Sequence, residues 1–186
     1  MIAAVSAITT KLALRSGGAP HPGRSPVTED DKKFMRRAIE LSEKTAMIDS
    51  AGGVFGAVIV QDGKIIAEGA NRVVAENDPT WHGEMDAIRK ACRAQGSFKL
   101  RNATLYTSAE PCPMCMAAAY WAGIGRIFYA ATNADALEYG NFDDSMIYAE
   151  LKKPTAERSI PTRQLMRDEA IEVWKKYKNK ADRVQY

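Results

Sequence analysis

The chain has 186 residues, 46% apolar and 26% charged, which is the balance of an ordinary globular domain and excludes a collagenous or wholly disordered chain. Its net charge of +3 is too slight to demand a nucleic-acid partner, and no apolar run approaches the roughly 20 residues that a membrane-spanning helix needs. Its three cysteines, Cys92, Cys112 and Cys115, are odd in number with one close pair. This does not read as a secreted disulfide framework and reads better as a reducing compartment with a metal or redox pair, so a cytoplasmic location is expected.

Residues 1–28 contain Lys11, Arg15 and Arg24 but no acid, and Gly17 to Pro26 is rich in Gly, Pro and Ser. This composition predicts a disordered leader and also resembles an acid-poor organellar transit segment. His21, between two prolines, belongs to no predicted site. Organised sequence starts at Thr28, a helix cap followed by Glu29, Asp30 and Asp31 and then a stripe through Phe34, Ala38, Leu41 and Ala46. Gly52 and Gly53 end that segment.

Gly56 to Val60 and Lys64 to Ala70 read as strands joined by an Asp62-Gly63 hairpin turn. His82 to Gln95 reads as a helix stopped by Gly96, Ala103 to Thr107 as a strand, Pro113 to Ala122 as a helix stopped by Gly123, and Arg126 to Ala130 as a strand. Two short helices, Asp135 to Tyr139 and Asp143 to Leu151, precede a final helix from Thr162 to Lys178. Strands alternating with helices imply an α/β layered sandwich, and residues 29–186 show no linker or repeat, so one domain is expected.

Two short stretches carry the chemistry: His82-Gly83-Glu84 and Pro111-Cys112-Pro113-Met114-Cys115. One imidazole and two thiolates make three zinc ligands and leave a tetrahedral position for water, as a catalytic zinc requires. Zinc lowers the pKa of such a water to roughly 7. Cys112 and Cys115 lie one helical turn apart, and both His82 and Cys112 fall at predicted helix starts, where the backbone favours anions. Glu84 is placed to carry a proton between water and substrate. Cys92, on the apolar stripe of its helix, is expected in the core rather than on the metal. The pattern is that of zinc-dependent base deaminases, H-x-E followed by P-C-x-x-C.

Beyond that pattern, the chain from about Phe34 to Tyr186 resembles the bacterial guanine deaminases of cytidine-deaminase-like fold. The stretches that carry the resemblance are Gly53 to Val60, Asn77-Asp78-Pro79-Thr80, Ala87 to Cys92, Leu105 to Cys115, Tyr120-Trp121-Ala122, Phe142 to Tyr148 and the terminal Tyr186. The resemblance implies a three-layer α-β-α sandwich around a mixed sheet, with one Zn²⁺ per chain on His82, Cys112 and Cys115. It implies attack at C2 of guanine, with Glu84 as proton shuttle and Asp135 reading the amino group and assisting proton transfer. Asn71 would hydrogen-bond the purine, and Phe55 and Trp121 are candidate pocket walls or simple core aromatics. It further implies a homodimer in which residues 181–186 are swapped, so that Tyr186 closes the partner's pocket. The chain departs from the family's usual pattern at Val54, Trp81, Gly83, Ala109 and Asn141, of which Trp81 and Gly83 flank a metal ligand.

Other readings stay open at this level. One is a deaminase of guanosine, cytosine or a triazine. Another is a tRNA adenosine deaminase, supported by the basic run Lys175, Lys176, Lys178, Lys180 and Arg183, although tyrosine and acids dilute that run. A zinc-stabilised interaction module without catalysis is the third.

Overall fold

The computed structural model describes residues 26–185. Most of the expected leader, and the terminal Tyr186, therefore lie outside the described residues.

The first helix, α1 (Glu29–Glu43), opens with a capping box in which the Thr28 hydroxyl accepts from Asp31 N and the Asp31 carboxylate accepts from Thr28 N. It continues as a single π-helical turn, Lys44–Ile48. Strands β1 (Gly56–Gln61) and β2 (Lys64–Ala70) form an antiparallel hairpin. Its turn residues Asp62 and Gly63 both have positive φ, 50° and 73°, the mirror-image turn that suits strand twist. A one-turn helix, α2 (Val73–Glu76), leads to α3 (Gly83–Gln95), β3 (Thr104–Ala109), α4 (Pro113–Ala122) and β4 (Arg126–Ala131). Helices α5 (Asn133–Gly140), α6 (Ser145–Lys152) and α7 (Arg167–Lys178) follow, with a 3₁₀ turn at Thr155–Glu157.

The sheet order is β2-β1-β3-β4, with β3 and β4 parallel and the other neighbours antiparallel. It is thus a mixed sheet, with α1 on one face and α3 and α4 on the other. Alternation along β1 shows why. Val58 and Val60 pack with Phe34, Ala38 and Tyr106 under α1, whereas Ala57 and Ile59 pack with Ala87, Ala91, Leu105 and Ala122 under α3 and α4. Every residue of β1 except Gln61 is buried, as a strand covered on both faces must be.

Most elements lie where the sequence puts them, and four differ. β3 runs on to Ala109, because Ala109 still pairs with Ala131 of β4. α2 and the π-helical turn lack a readable period of their own. The final helix starts at Arg167 and not at Thr162. The Thr162 hydroxyl donates to Ile160 O instead of capping a helix, and the left-handed Met166, φ 53°, breaks the chain just before α7.

No helix among the described residues is long and apolar enough to cross a membrane. α7 is not packed into the layers, and its Val173 and Trp174 are 65% and 66% exposed.

Candidate active site

Two helix starts meet at one end of the sheet. His82 is the N-cap of α3, with extended backbone, and Glu84 sits in the first turn. Cys112 is the N-cap of α4, Pro113 takes the first helical position where its missing N–H costs nothing, and Cys115 follows one turn later. Close backbone approach sets α3 in place. A Cβ on Gly69 of β2 would stand 2.1 Å from Gly83 O, and a Cβ on Gly83 would stand 2.9 Å from Phe55 O. Glycine at 83 thus lets the start of α3 lie directly on the chain leading into β1. Asp86, also in the first turn, accepts from Ala70 N at 3.2 Å and from Lys90 Nζ at 2.7 Å, tying α3 to the end of β2.

His82 Nδ1 lies 3.5 Å from Cys112 Sγ and 3.6 Å from Cys115 Sγ. A tetrahedral zinc with ordinary Zn–N and Zn–S bonds sets nitrogen and sulfur about 3.6 Å apart, so the imidazole stands at the spacing that ion requires from both sulfurs, and all three donor atoms lie within 4.8 Å of one another. No other group of three or more metal-binding side chains is found among the described residues. Cys92 stays away from the cluster and packs against the core beneath α3.

Glu84 is buried beside them, with Oε2 3.5 Å from Cys115 Sγ and Oε1 accepting from Thr107 Oγ1 at 3.2 Å. Burial raises its carboxyl above the usual carboxylate range. A hydrogen bond from Cys115 holds the Cys112 thiol down to about 4, and the same bond pushes Cys115 up. The bond with Cys112 raises His82.

The cluster forms part of the lining of a cavity of about 330 Å³. That is the low end of small-molecule sites, roughly 300–1,000 Å³, and suits a single ring system. Phe55 and Phe142 form an aromatic wall, edge to face with centroids 5.0 Å apart. Asn71, Glu110, Asn133 and Asp144 supply polar groups around it. Glu110 Oε2 accepts from Asn133 N at 3.2 Å, and burial raises the Asp144 carboxyl.

The structure therefore brings His82, Glu84, Cys112, Asn71 and Phe55 together around one cavity, with Cys115 buried behind it in contact with His82 and Glu84. It places two expected residues elsewhere. Asp135 caps α5, its Oδ2 accepting from Thr132 N and Oγ1 at 2.7 Å, and the cavity is lined instead by its neighbours Asn133 and Ala136. Trp121, 63% exposed on α4, lines a separate groove with Val173, Trp174, Tyr177 and Val184. Tyr186 lies outside the described residues. Sequence reasoning passed over Glu110, Asp144 and Phe142 as site residues, although all three stand in the stretches that carry the family resemblance. Trp81, a departure from the family pattern, buries Nε1 without a hydrogen-bond partner among the described residues, with Arg89 over its ring at 5.8 Å.

Residues 28–131 match the family described as the cytidine and deoxycytidylate deaminase zinc-binding region. The chain belongs to this deaminase family. Its members include a guanine deaminase of Bacillus subtilis (strain 168), 49% identical over 153 residues, covering 82% of this chain and 97% of that protein. The crystal structure of guanine deaminase from Bacillus subtilis superposes with a TM-score of 0.80 at 48% identity, over 83% of this chain and 98% of that one. A tRNA-specific adenosine deaminase of Haemophilus influenzae is more distant, 37% identical over 122 residues, covering 63% of this chain and 69% of that protein. Membership gives the fold, a three-layer α-β-α sandwich on a mixed sheet, and the chemistry, a zinc-dependent hydrolytic deaminase, for which His82, Cys112 and Cys115 form a possible metal site.

Proposed function

We propose that the protein hydrolyses guanine to xanthine and ammonia. The carrying observation is the tetrahedral spacing of His82 Nδ1 and the two sulfurs beside a buried Glu84, in a cavity sized for one ring system. Similarity over nearly the whole Bacillus subtilis guanine deaminase supports the choice of base. His82, Cys112 and Cys115 would hold one Zn²⁺ per chain, which supplies a nucleophile from water near neutral pH. Water adds its oxygen to C2, the exocyclic C–N bond breaks, and ammonia leaves. Glu84 takes the proton from the water and returns it to the substrate, a task for which its raised carboxyl is suited. Asn71 donates a hydrogen bond to an acceptor on the purine, and the wall formed by Phe55 and Phe142 offers the ring an apolar surface. Asp135 enters on the resemblance alone, since its carboxylate would have to leave Thr132 to reach the amino group.

The same reading makes the protein a cytoplasmic homodimer with swapped C-terminal tails. The apolar residues of the C-terminal arm, Ile160, Leu165, Val173, Trp174 and Val184, are exposed in a single chain and fit a partner's surface. Tyr186 would then close the partner's pocket, with Trp121 meeting the arm that carries it. A tRNA substrate is disfavoured, because the net charge of +3 is slight for a phosphate backbone and the tRNA-specific deaminase relatives are more distant than the guanine deaminase.

The test is ammonia release from guanine, guanosine, cytosine, cytidine, adenine and ammeline, with zinc measured in the same protein. Guanine is expected to be the preferred substrate at one zinc per chain, with activity lost on chelation. Preference for cytosine, adenine or a nucleoside overturns this reading, as does full activity without zinc.

A further inference from the structure

Asn71 lines the cavity and is fixed by bonds to Phe55, Gly53 and Val73, which line it too, and to Thr45, which does not. Its backbone N donates to Phe55 O at 2.8 Å, and its backbone O accepts from Thr45 Oγ1 at 2.6 Å. Its side-chain Oδ1 accepts from both Gly53 N and Val73 N at 3.2 Å. Two N–H groups on one atom identify that atom as the oxygen, because an amide NH₂ there would face donor with donor. The carboxamide nitrogen makes no hydrogen bond to the described residues and is the group left for a ligand in the cavity.

Two residues hold this arrangement from behind. Thr45 is only 2% exposed and sits in the π-helical turn, whose extra residue tucks it inward while Met47 and Ile48 of the same turn stay exposed. Gly52 abuts the side chain so closely that a Cβ there would stand 2.0 Å from Asn71 Oδ1. The turn is itself tied in, since Ala51 N donates to Thr45 O and Val74 and Ala75 donate to Ala51 O.

We infer that Thr45, bonded to the Asn71 main-chain carbonyl, and Gly52, packed against Oδ1, form a clamp that holds Asn71 where Gly53 N and Val73 N turn its NH₂ into the pocket, making Thr45 a positioning residue for a substrate with a hydrogen-bond acceptor on its ring. The inference rests on the deaminase reading and deepens it: the site selects an acceptor edge, such as a purine ring nitrogen or carbonyl, and Thr45 acts on substrate binding rather than on proton transfer. Thr45 does not itself line the cavity, so its effect passes through Asn71.

The experiment measures KM and kcat for guanine in the full chain with zinc bound. Thr45→Val keeps the shape and removes the hydroxyl. It is expected to raise KM about five- to tenfold, the scale of one lost buried hydrogen bond, with kcat within about twofold of wild type and zinc content unchanged. Thr45→Ser is expected to restore KM. In an Asn71→Ala background, Thr45→Val is expected to add nothing further, because the group it positions is gone. Should Thr45→Val not fold, Gly52→Ala carries the same test, since its new methyl would stand 2.0 Å from Asn71 Oδ1, an atom absent from the Asn71→Ala background. An unmoved KM in Thr45→Val, or the same factor in the Asn71→Ala background, overturns the clamp while leaving the deaminase reading intact. Wild-type protein that releases no ammonia from guanine overturns the deaminase reading, and the clamp's substrate with it.

Discussion

Glu84 Oε2 stands 3.5 Å from Cys115 Sγ, which joins the proposed proton carrier to a proposed metal ligand in one contact. The other oxygen of the same carboxylate accepts from Thr107 at 3.2 Å, so β3 fixes its orientation from the sheet side. Glu84→Gln keeps the volume and removes the base. Zinc is expected to stay at one per chain, while activity falls at least about 10²-fold, the scale of losing a positioned proton carrier. Metal analysis beside steady-state kinetics checks this, and near-wild-type turnover would remove Glu84 from the mechanism.

Asp135 presents a sharper choice. In a single chain its carboxylate belongs to the capping box of α5, where bonds from Thr132 hold it below the usual carboxylate range. If it leaves that cap to accept from the guanine amino group, Asp135→Asn sets donor against donor. Loss on guanine is then expected to exceed loss on cytosine by about tenfold or more. Parallel kinetics on both bases decide, and equal losses would leave Asp135 as a helix cap alone.

The C-terminal arm is expected to make the protein a dimer in solution, measurable by sedimentation. Deleting Val184 to Tyr186 should leave folded, zinc-loaded protein with greatly reduced turnover. Co-refolding this deletion with Glu84→Gln tests the exchange directly. The subunit that keeps Glu84 receives an intact tail only if tails are swapped, so activity should return in the heterodimer. Heterodimers that form but stay silent would rule out the exchange.

Asp31 ties α1 to the sheet. Burial alone would raise its carboxyl, but hydrogen bonds from Tyr106 and Thr28 and the charge of Arg126 hold it below its ordinary value. Its Oδ1 accepts from the Tyr106 hydroxyl at 2.5 Å and lies 3.3 Å from Arg126. A carboxyl depressed on folding stabilises the protein above its unfolded pKa, near 3.9, and that contribution is lost as pH falls through the folded value. Asp31→Asn is therefore expected to cost about 1–3 kcal/mol from pH 5 to 8, the gap from wild type shrinking below about pH 4. Urea unfolding across that range measures it, and a gap independent of pH would assign the loss to the cap geometry rather than to the charge.

The sequence by itself determined the metal chemistry, because one histidine and a cysteine pair three apart leave few other uses for those residues at two helix starts. It also determined the layers. A helical stripe through Phe34 and Ala38, the unbroken apolar run Gly56 to Val60 and the Asp62-Gly63 turn are local patterns, and local backbone preference suffices to read them. What only the tertiary structure decided depends on contacts between residues far apart in the chain. Thr45 and Asn71 are 26 positions apart and neither advertises the other. The π-helical turn has no period to read, and the orientation of a carboxamide follows from the two N–H groups it meets. The capping box that holds Asp135 was readable in principle, since Thr132 precedes it by three residues. Which of its two uses prevails depends on what the rest of the site, and a second chain, place beside it. The start of α7 shows the same limit: Thr162 has the chemistry of a helix cap, but its hydroxyl is already bound to Ile160 O, and helix formation waits until Arg167.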